Sequence, residues 1–241
     1  MIIKEHNSGF KKSKPVKEAM DVFLKDVNRN IPCRNGFVYA MVGSGGCGKS
    51  STLLNMLKST EYYRNKFENI YMFVPLTSFL SVEKHPLADH EKVYHELDVD
   101  ILEEIEEDLL RIKSECLDLE TELEKTLCIV DDMAGFLKEK PVQRALSKMI
   151  MKTRHLGCSW IFTLQALKYM PAQIRRQLTN ISIWKPKSWN EWGNICEEYF
   201  GIEKDKRQAI YDYCFSEPYQ HLDIDLSSGR LYKNFNQLDI E

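Results

Sequence analysis

The sequence predicts an α/β fold: a mostly parallel sheet covered by helices on both faces. Three observations carry that expectation. Short apolar runs rich in β-branched and aromatic residues alternate with segments of helical periodicity, the pattern of strand–helix–strand units. A glycine-rich stretch, GSGGCGKS at residues 43–50, satisfies GxxxxGK[ST] in full and lies between one such run and one such segment. A second apolar run, Leu127 to Asp132, ends in two adjacent carboxylates.

Taken in chain order, residues 1–35 read as a basic, helical N-terminal segment, with Lys11, Lys12, Lys14 and Lys17 among its charges. Gly36 to Val42 fits a buried strand. The loop follows. Gly43, Gly45, Gly46 and Gly48 let the backbone curl so that amides face inward, with Ser44 and Cys47 between them. The next segment, SSTLLNMLKST, carries Leu53, Leu54 and Leu57 at helical spacing, so a helix N-terminus adds its positive end to the curl. Phosphate groups suit such a concavity. Lys49 is placed to reach the β- and γ-phosphates, the Ser50 hydroxyl to ligate Mg²⁺, and Ser51 to line the same turn. The Cys47 thiol reads as a small side chain in the loop.

Asn69 to Val74 is the next strand. Between Val99 and Thr126 there is no Gly or Pro, and Leu102, Ile105, Leu109, Ile112, Cys116, Leu119 and Leu123 alternate in steps of three and four. That predicts one long helix over 99–126 with a heptad-like seam, packed on its own domain or against another chain. Leu127 to Asp132 is the acid strand: Asp131 is placed to hold Mg²⁺ and Asp132 to polarise the attacking water. A strand inserted between loop strand and acid strand marks the ATPase branch with an additional catalytic acid, and Asn69–Val74 stands in that interval of the sequence. No NKxD motif for guanine and no LSGGQ motif occurs, which favours ATP. A helix with proline at its start is expected over 141–155. Cys158 to Gln165 is a strand ending in an amide, with Gln165 placed to sense the γ-phosphate, and Asn180 to Trp184 is a further strand. Leu222 to Phe235 reads as two short strands around a Ser-Ser-Gly turn, a C-terminal hairpin. The loop, Asp131, Asp132 and Gln165 all fall at strand carboxyl ends, where such sheets bind ligands. Residues 36–241 thus read as one P-loop ATPase domain that contains the acidic helix.

Charge divides the chain. The net charge of −3 conceals twelve acids and three bases between Asp98 and Lys125, and ten Lys or Arg with no acid between Lys140 and Asn190. The second stretch suits a polyanion; Lys148, Lys152, Lys168, Lys185 and Lys187 are its candidate contacts. Trp184, Trp189, Trp192, Tyr211 and Tyr213 read chiefly as packing. Seven cysteines without a CxxC pair suggest neither a zinc site nor a disulfide framework and fit a reducing compartment. No apolar run approaches the roughly 18 residues of a membrane span, and the N-terminal residues carry no signal-peptide core.

FVYAMVGSGGCGKSSTLL, LCIVDDMAGF, TRHLGCSWIFTLQALKYMPAQIRRQLTNISIW and LDIDLSSGRLYKNF together resemble the packaging ATPases of large DNA viruses and virophages, those of poxviruses included, in the FtsK–HerA group. The resemblance implies a RecA/FtsK-like fold and ring-forming subunits that drive double-stranded DNA into a capsid, with capsid proteins as partners and no membrane. It implies an ATP site at a subunit interface completed by a neighbour's arginine: Arg154, or alternatively Arg175 or Arg176. It implies a place in the host-cell cytoplasm, in viral factories, or in the virion. A small-molecule phosphotransferase and a coiled-coil adaptor with a vestigial nucleotide site are the competing readings. The first needs neither the inserted strand nor Gln165; the second predicts decay at Lys49, Ser50 or Asp131.

Overall fold

The structure is a computed structural model that describes residues 23–239. Lys11, Lys12, Lys14 and Lys17 lie outside the described residues. In chain order the elements are β1 (Val38–Val42), α1 (Lys49–Lys58), β2 (Asn69–Phe73), α2 (Leu76–Leu80), β3 (Val93–Tyr94), α3 (Val99–Asp118), β4 (Thr126–Asp131), α4 (Lys140–Ile150), β5 (Cys158–Leu164), α5 (Ala172–Arg175), β6 (Asn180–Trp184), α6 (Trp189–Ile195), α7 (Lys206–Cys214), β7 (His221–Asp225), β8 (Arg230–Lys233) and β9 (Asn236–Leu238). Among the described residues the strands form one sheet in the order β3-β2-β4-β5-β1-β6-β7-β8-β9. β3 through β6 in that order run parallel, and from β6 onward the pairing is antiparallel.

Burial on both faces explains the near-continuous apolar strands. On β1, Val38, Ala40 and Val42 face one core while Tyr39 and Met41 face the other. Cys128 and Val130 on β4 side with the first, Leu127 and Ile129 with the second. The first core is covered by Leu102, Ile105 and Leu109 of α3 and by Val142, Leu146, Met149 and Ile150 of α4. The second is covered by Leu53, Leu54, Met56 and Leu57 of α1 and by Leu24, Val27 and Ile31 ahead of β1.

Four expectations need correction. The strand that separates β1 from β4 in space is β5, not Asn69–Val74: β2 lies on the outer side of β4. The inserted-strand order stands, carried by the segment after the acid strand. The acidic helix ends at Asp118, not Thr126. Its stop is a Schellman turn: the Thr121 amide donates to the Cys116 carbonyl at 2.9 Å and the Glu120 amide to the Leu117 carbonyl at 3.2 Å, with Glu120 at φ 54° where glycine is usual. Leu119 is therefore 72% exposed, and the seam of α3 is internal packing for its first five members, Leu102 to Cys116. The helix expected over 141–155 ends at Ile150 and passes into turns. Residues 23–35 hold no helix; Phe23 and Arg34 form an isolated antiparallel bridge there.

The C-terminal hairpin is present as β7 and β8, lengthened by β9. β7 pairs with β6, so the hairpin extends the sheet. Asp225 stabilises its turn by accepting from the Ser227 and Ser228 hydroxyls at 2.6 and 2.7 Å.

The two ends of the predicted seam give a stability test. Leu109, 1% exposed, should cost about 2–5 kcal/mol as Leu109→Ala. Leu119→Asn should stay within about 0.5 kcal/mol of wild type in denaturant unfolding; a large loss there would restore the longer helix.

Candidate active site

β1 delivers the chain to the bend at residues 43–50. Gly43 donates its amide to Leu164 of β5 at 3.0 Å, and only glycine fits there: a Cβ would lie 2.6 Å from Trp184 Cβ and 2.7 Å from Cys47 Sγ. Gly48 has φ 106° and leads into α1, which has no side-chain cap. The first-turn amides of α1 are thus uncapped donors. Among the described residues, the amides of Gly45, Gly46 and Gly48 donate to no main-chain acceptor. The bend is an anion-binding concavity by construction. The Lys49 ammonium is buried and folded back on the loop, donating to the carbonyls of Gly43 at 2.7 Å and Ser44 at 3.0 Å. A cavity of about 460 Å³ opens beside the bend, lined by Gly46, the turn from Gly48 to Thr52, Asn55 and Tyr219.

The carboxylate pair meets the loop. Ser50 Oγ donates to Asp131 Oδ1 at 3.0 Å, and Thr163 Oγ1 donates to the same oxygen in a short hydrogen bond. Asp131 is 5% exposed. Burial pushes its carboxyl above the usual range and the Asp132 charge adds to that, while the two hydroxyls and the Lys49 ammonium pull the other way. Asp132 turns out of the strand at φ 54°, exposed, its amide donating to Thr163 Oγ1 at 3.0 Å. Gln165 Nε2 donates to Asp132 Oδ1 at 3.4 Å. Loop, Ser50, Asp131, Asp132 and Gln165 are therefore gathered at one edge of the sheet. Thr163 went unnoticed in the sequence. It is opposite Asp131 in the β4–β5 register, and a hydroxyl two residues before the strand-end amide was its only signal.

The basic candidates separate. Arg154 is exposed at the far edge, in the turn before β5, where its backbone lies against Gly36 at the foot of β1. β5 spans seven residues, roughly 20 Å at about 3.3 Å per residue, so Arg154 cannot reach the loop of its own chain. Arg175 stands on the loop's edge and pairs with Glu198 at 3.8 Å. Arg176 is exposed nearby. Lys148 and Lys152 each hold the buried Glu106 of α3 at 2.8 Å, which removes them as independent polyanion contacts. Burial would raise the Glu106 carboxyl, yet the two lysines hold it below its usual value. Lys168, Lys185, Lys187 and Arg175 line a second cavity of about 480 Å³, which Ser44 and Gln165 share. Trp184 and Trp192 are fully buried packing residues, whereas Trp189 and Tyr213 are exposed at 51% and 61%.

Strand order, loop and buried acid define a P-loop NTPase of the RecA/FtsK type. B204, the DNA-packaging ATPase from Sulfolobus turreted icosahedral virus, has a similar fold: TM-score 0.57 at 15% identity over 86% of this chain and 98% of that one. B204 from Sulfolobus turreted icosahedral virus 2 in complex with AMPPCP gives TM-score 0.54 at 16% identity over 86% and 100% of the two chains. The pCW3 conjugation coupling protein TcpA gives 0.54 at 12% identity over 78% and 57%. No curated protein matches the sequence. More particularly, residues 25–209 match the family described as Poxvirus A32 protein, and the chain belongs to that family.

The raised pKa of Asp131 fixes a sign. Its ionised form is less favourable in the fold than in the unfolded chain. That cost is fully present above the folded pKa and disappears as pH falls below the unfolded one. Asp131→Asn should therefore raise the Tm at neutral pH, by roughly 2–4 °C for each kcal/mol relieved, and the gain should vanish in strong acid. A lower Tm for Asp131→Asn at pH 7 would show that the carboxylate is not strained by burial.

Proposed function

We propose that this protein hydrolyses ATP to drive double-stranded DNA into a viral capsid, as one subunit of a ring. The observation that carries the reading is the Ser50–Asp131 hydrogen bond at 3.0 Å, which brings the glycine loop to the acid strand. Family membership and the fold shared with packaging ATPases support it. The phosphotransferase alternative draws no support from them, and Lys49, Ser50 and Asp131 are intact, against a vestigial site.

In this reading the triphosphate lies in the bend, held by the amides of residues 43–51, and Lys49 leaves the Gly43 and Ser44 carbonyls for the β- and γ-phosphates. Ser50 and Asp131 supply an oxygen pair suited to Mg²⁺, an ion that keeps water and phosphate oxygens as its other ligands; when bound it would neutralise charge on the phosphates. Asp132, held by Gln165, orients water for attack on the γ-phosphorus as the bond to the ADP oxygen breaks. Gln165 registers loss of the γ-phosphate. A neighbour supplies Arg154, which is exposed, lacks an ion pair among the described residues and is out of reach of its own site; Arg175 and Arg176 are the alternatives. Lys168, Lys185 and Lys187 grip DNA phosphates, since a pump must ignore sequence. Residues 36–241 serve as the motor domain, acting in the viral factory or at the virion, where capsid proteins dock it.

Lys49→Ala should lower ATP turnover by about 10²-fold or more with the Tm preserved. Linear duplex DNA should stimulate the wild-type enzyme, less so as salt rises; an equal rate at every DNA length and salt concentration would refute DNA coupling. Arg154→Ala should lose about 10³-fold or more, and mixing it with Lys49→Ala should restore turnover, because the Lys49→Ala subunit still offers its arginine. Failure to complement would transfer the role to Arg175 or Arg176.

A further inference from the structure

We propose that Tyr219 is the platform on which the nucleotide's purine base stacks. The proposal rests on the reading that the 43–50 bend holds a triphosphate, and adds where the other end of the molecule goes.

Tyr219 is 71% exposed, an unfavourable place for a large aromatic ring, yet the ring lies directly against the loop. A Cβ built on Gly48 would stand 3.4 Å from Tyr219 Cδ1 and 3.7 Å from its Cβ. The backbone at Tyr219 is left-handed, φ 66°, a conformation bulky residues rarely adopt. Such a conformation persists where the surroundings over-determine it, and here they do. Trp184 Nε1 donates to the Tyr219 carbonyl at 3.2 Å. The Gln220 amide closes the preceding turn: its oxygen accepts from the Ser216 hydroxyl at 3.1 Å and the Glu217 amide at 3.2 Å, and its nitrogen donates to the Glu217 carboxylate at 3.2 Å. Trp184 is 1% exposed and abuts Gly43. One buried indole thus positions both the start of the loop and the ring beside its end.

The direction of the nucleotide follows from the cavity. Its wall is made by Gly46, the Gly48–Thr52 turn, Asn55 and Tyr219, with nothing from the tips of β4 or β5. Gln165 lines the other cavity with Ser44, and Asp131 and Asp132, which with it would surround the scissile bond, line neither; Ser50, bonded to Asp131, marks the boundary between the two sides. A triphosphate that meets those groups with its γ end projects its ribose and base into the cavity, where the phenol ring is the flat apolar surface. Asn55 follows Ser51 by one turn on α1 and offers an amide to the base edge. Stacking tolerates any base, but a purine covers more of the ring than a pyrimidine.

The test compares KM for ATP and CTP, and the inhibition constant of inorganic tripolyphosphate, in the full chain and its variants. Tyr219→Ala should raise KM for ATP about tenfold to hundredfold, with a smaller change in kcat, and should shrink the preference for ATP over CTP. Tripolyphosphate, which has no base, should inhibit wild type and Tyr219→Ala alike. Tyr219→Phe should recover ATP affinity and the purine preference. Equal weakening of ATP, CTP and tripolyphosphate in Tyr219→Ala would mean that the ring only props the loop, and an unchanged ATP to CTP ratio would likewise overturn the proposal. A wild-type chain that does not turn over ATP and whose Tm neither ATP nor tripolyphosphate raises would instead overturn the nucleotide site itself.

Discussion

Ser50 and Asp131 are 81 residues apart in sequence, and the hydroxyl of one donates to the carboxylate of the other at 3.0 Å. Everything at the carboxyl edge depends on that meeting. It requires β1 and β4 to end at one level although they are not neighbours. β5 lies between them and sets the level twice, by pairing Val42 with Leu164 on one side and Asp131 with Thr163 on the other. A one-residue slip on either side would turn Thr163 or Asp131 to the opposite face. The Asp131 carboxylate is held by two neutral hydroxyls, which compensate only part of its burial. In the proposed reading, that residual cost is what a bound cation would offset.

A second constraint acts from the other side of the loop. Gly43 is pressed against Trp184, whose ring lies 4.6 Å from that of His221. His221 Nδ1 is 2.7 Å from Asp223 Oδ1, and Asp223 also accepts from the Phe235 amide at 2.8 Å and from Ser182. Ser182 in turn bonds the Tyr39 hydroxyl. The network crosses from β1 through β6 to β7, so the C-terminal hairpin does more than close the sheet: it anchors the floor on which the loop rests. Buried polar groups satisfied in this way specify one arrangement rather than many. That explains why an antiparallel extension is joined to a parallel nucleotide-binding sheet.

What the sequence disclosed follows the range of the forces involved. Local signals were plain. The glycine spacing at 43–50, the apolar runs of β1, β2, β4, β5 and β6 and the turn at 226–229 are each written within a few residues, and the structure has all of them. Signals that depend on tertiary partners were not. The two-residue β3 and three-residue β9 carry too little periodicity to be seen alone. The end of α3 was invisible because Glu120 takes the left-handed position that a rule based on glycine reserves for glycine. The identity of the inserted strand is a matter of spatial order, and linear order suggested β2 instead of β5. Thr163 and Tyr219 lie in no motif; each is marked only by what it faces, Asp131 in one case and Gly48 in the other.

The charge division acquires a physical meaning once its members are placed. Part of the basic stretch is neutralised within the fold, since Glu106 draws Lys148 and Lys152 onto α3 and thereby ties α3 to α4. Another part lies at the carboxyl edge, where Lys168, Arg175, Lys185 and Lys187 share a cavity with Ser44 and Gln165, while Arg154 stands at the far edge. The segment from Gln165 to Arg175 contributes one wall of that cavity, so the proposed γ-phosphate sensor and the proposed polyanion contact stand on the same short piece of chain. In the motor reading no long relay is needed between chemistry and grip. Loss of the γ-phosphate changes what Gln165 can bond, and Lys168, three residues on, moves with it. In the motor reading the electrostatic geometry also sets a polarity: the acidic surface of α3 would repel DNA from its own side and leave the duplex to approach along the edge proposed to hold the nucleotide's phosphates.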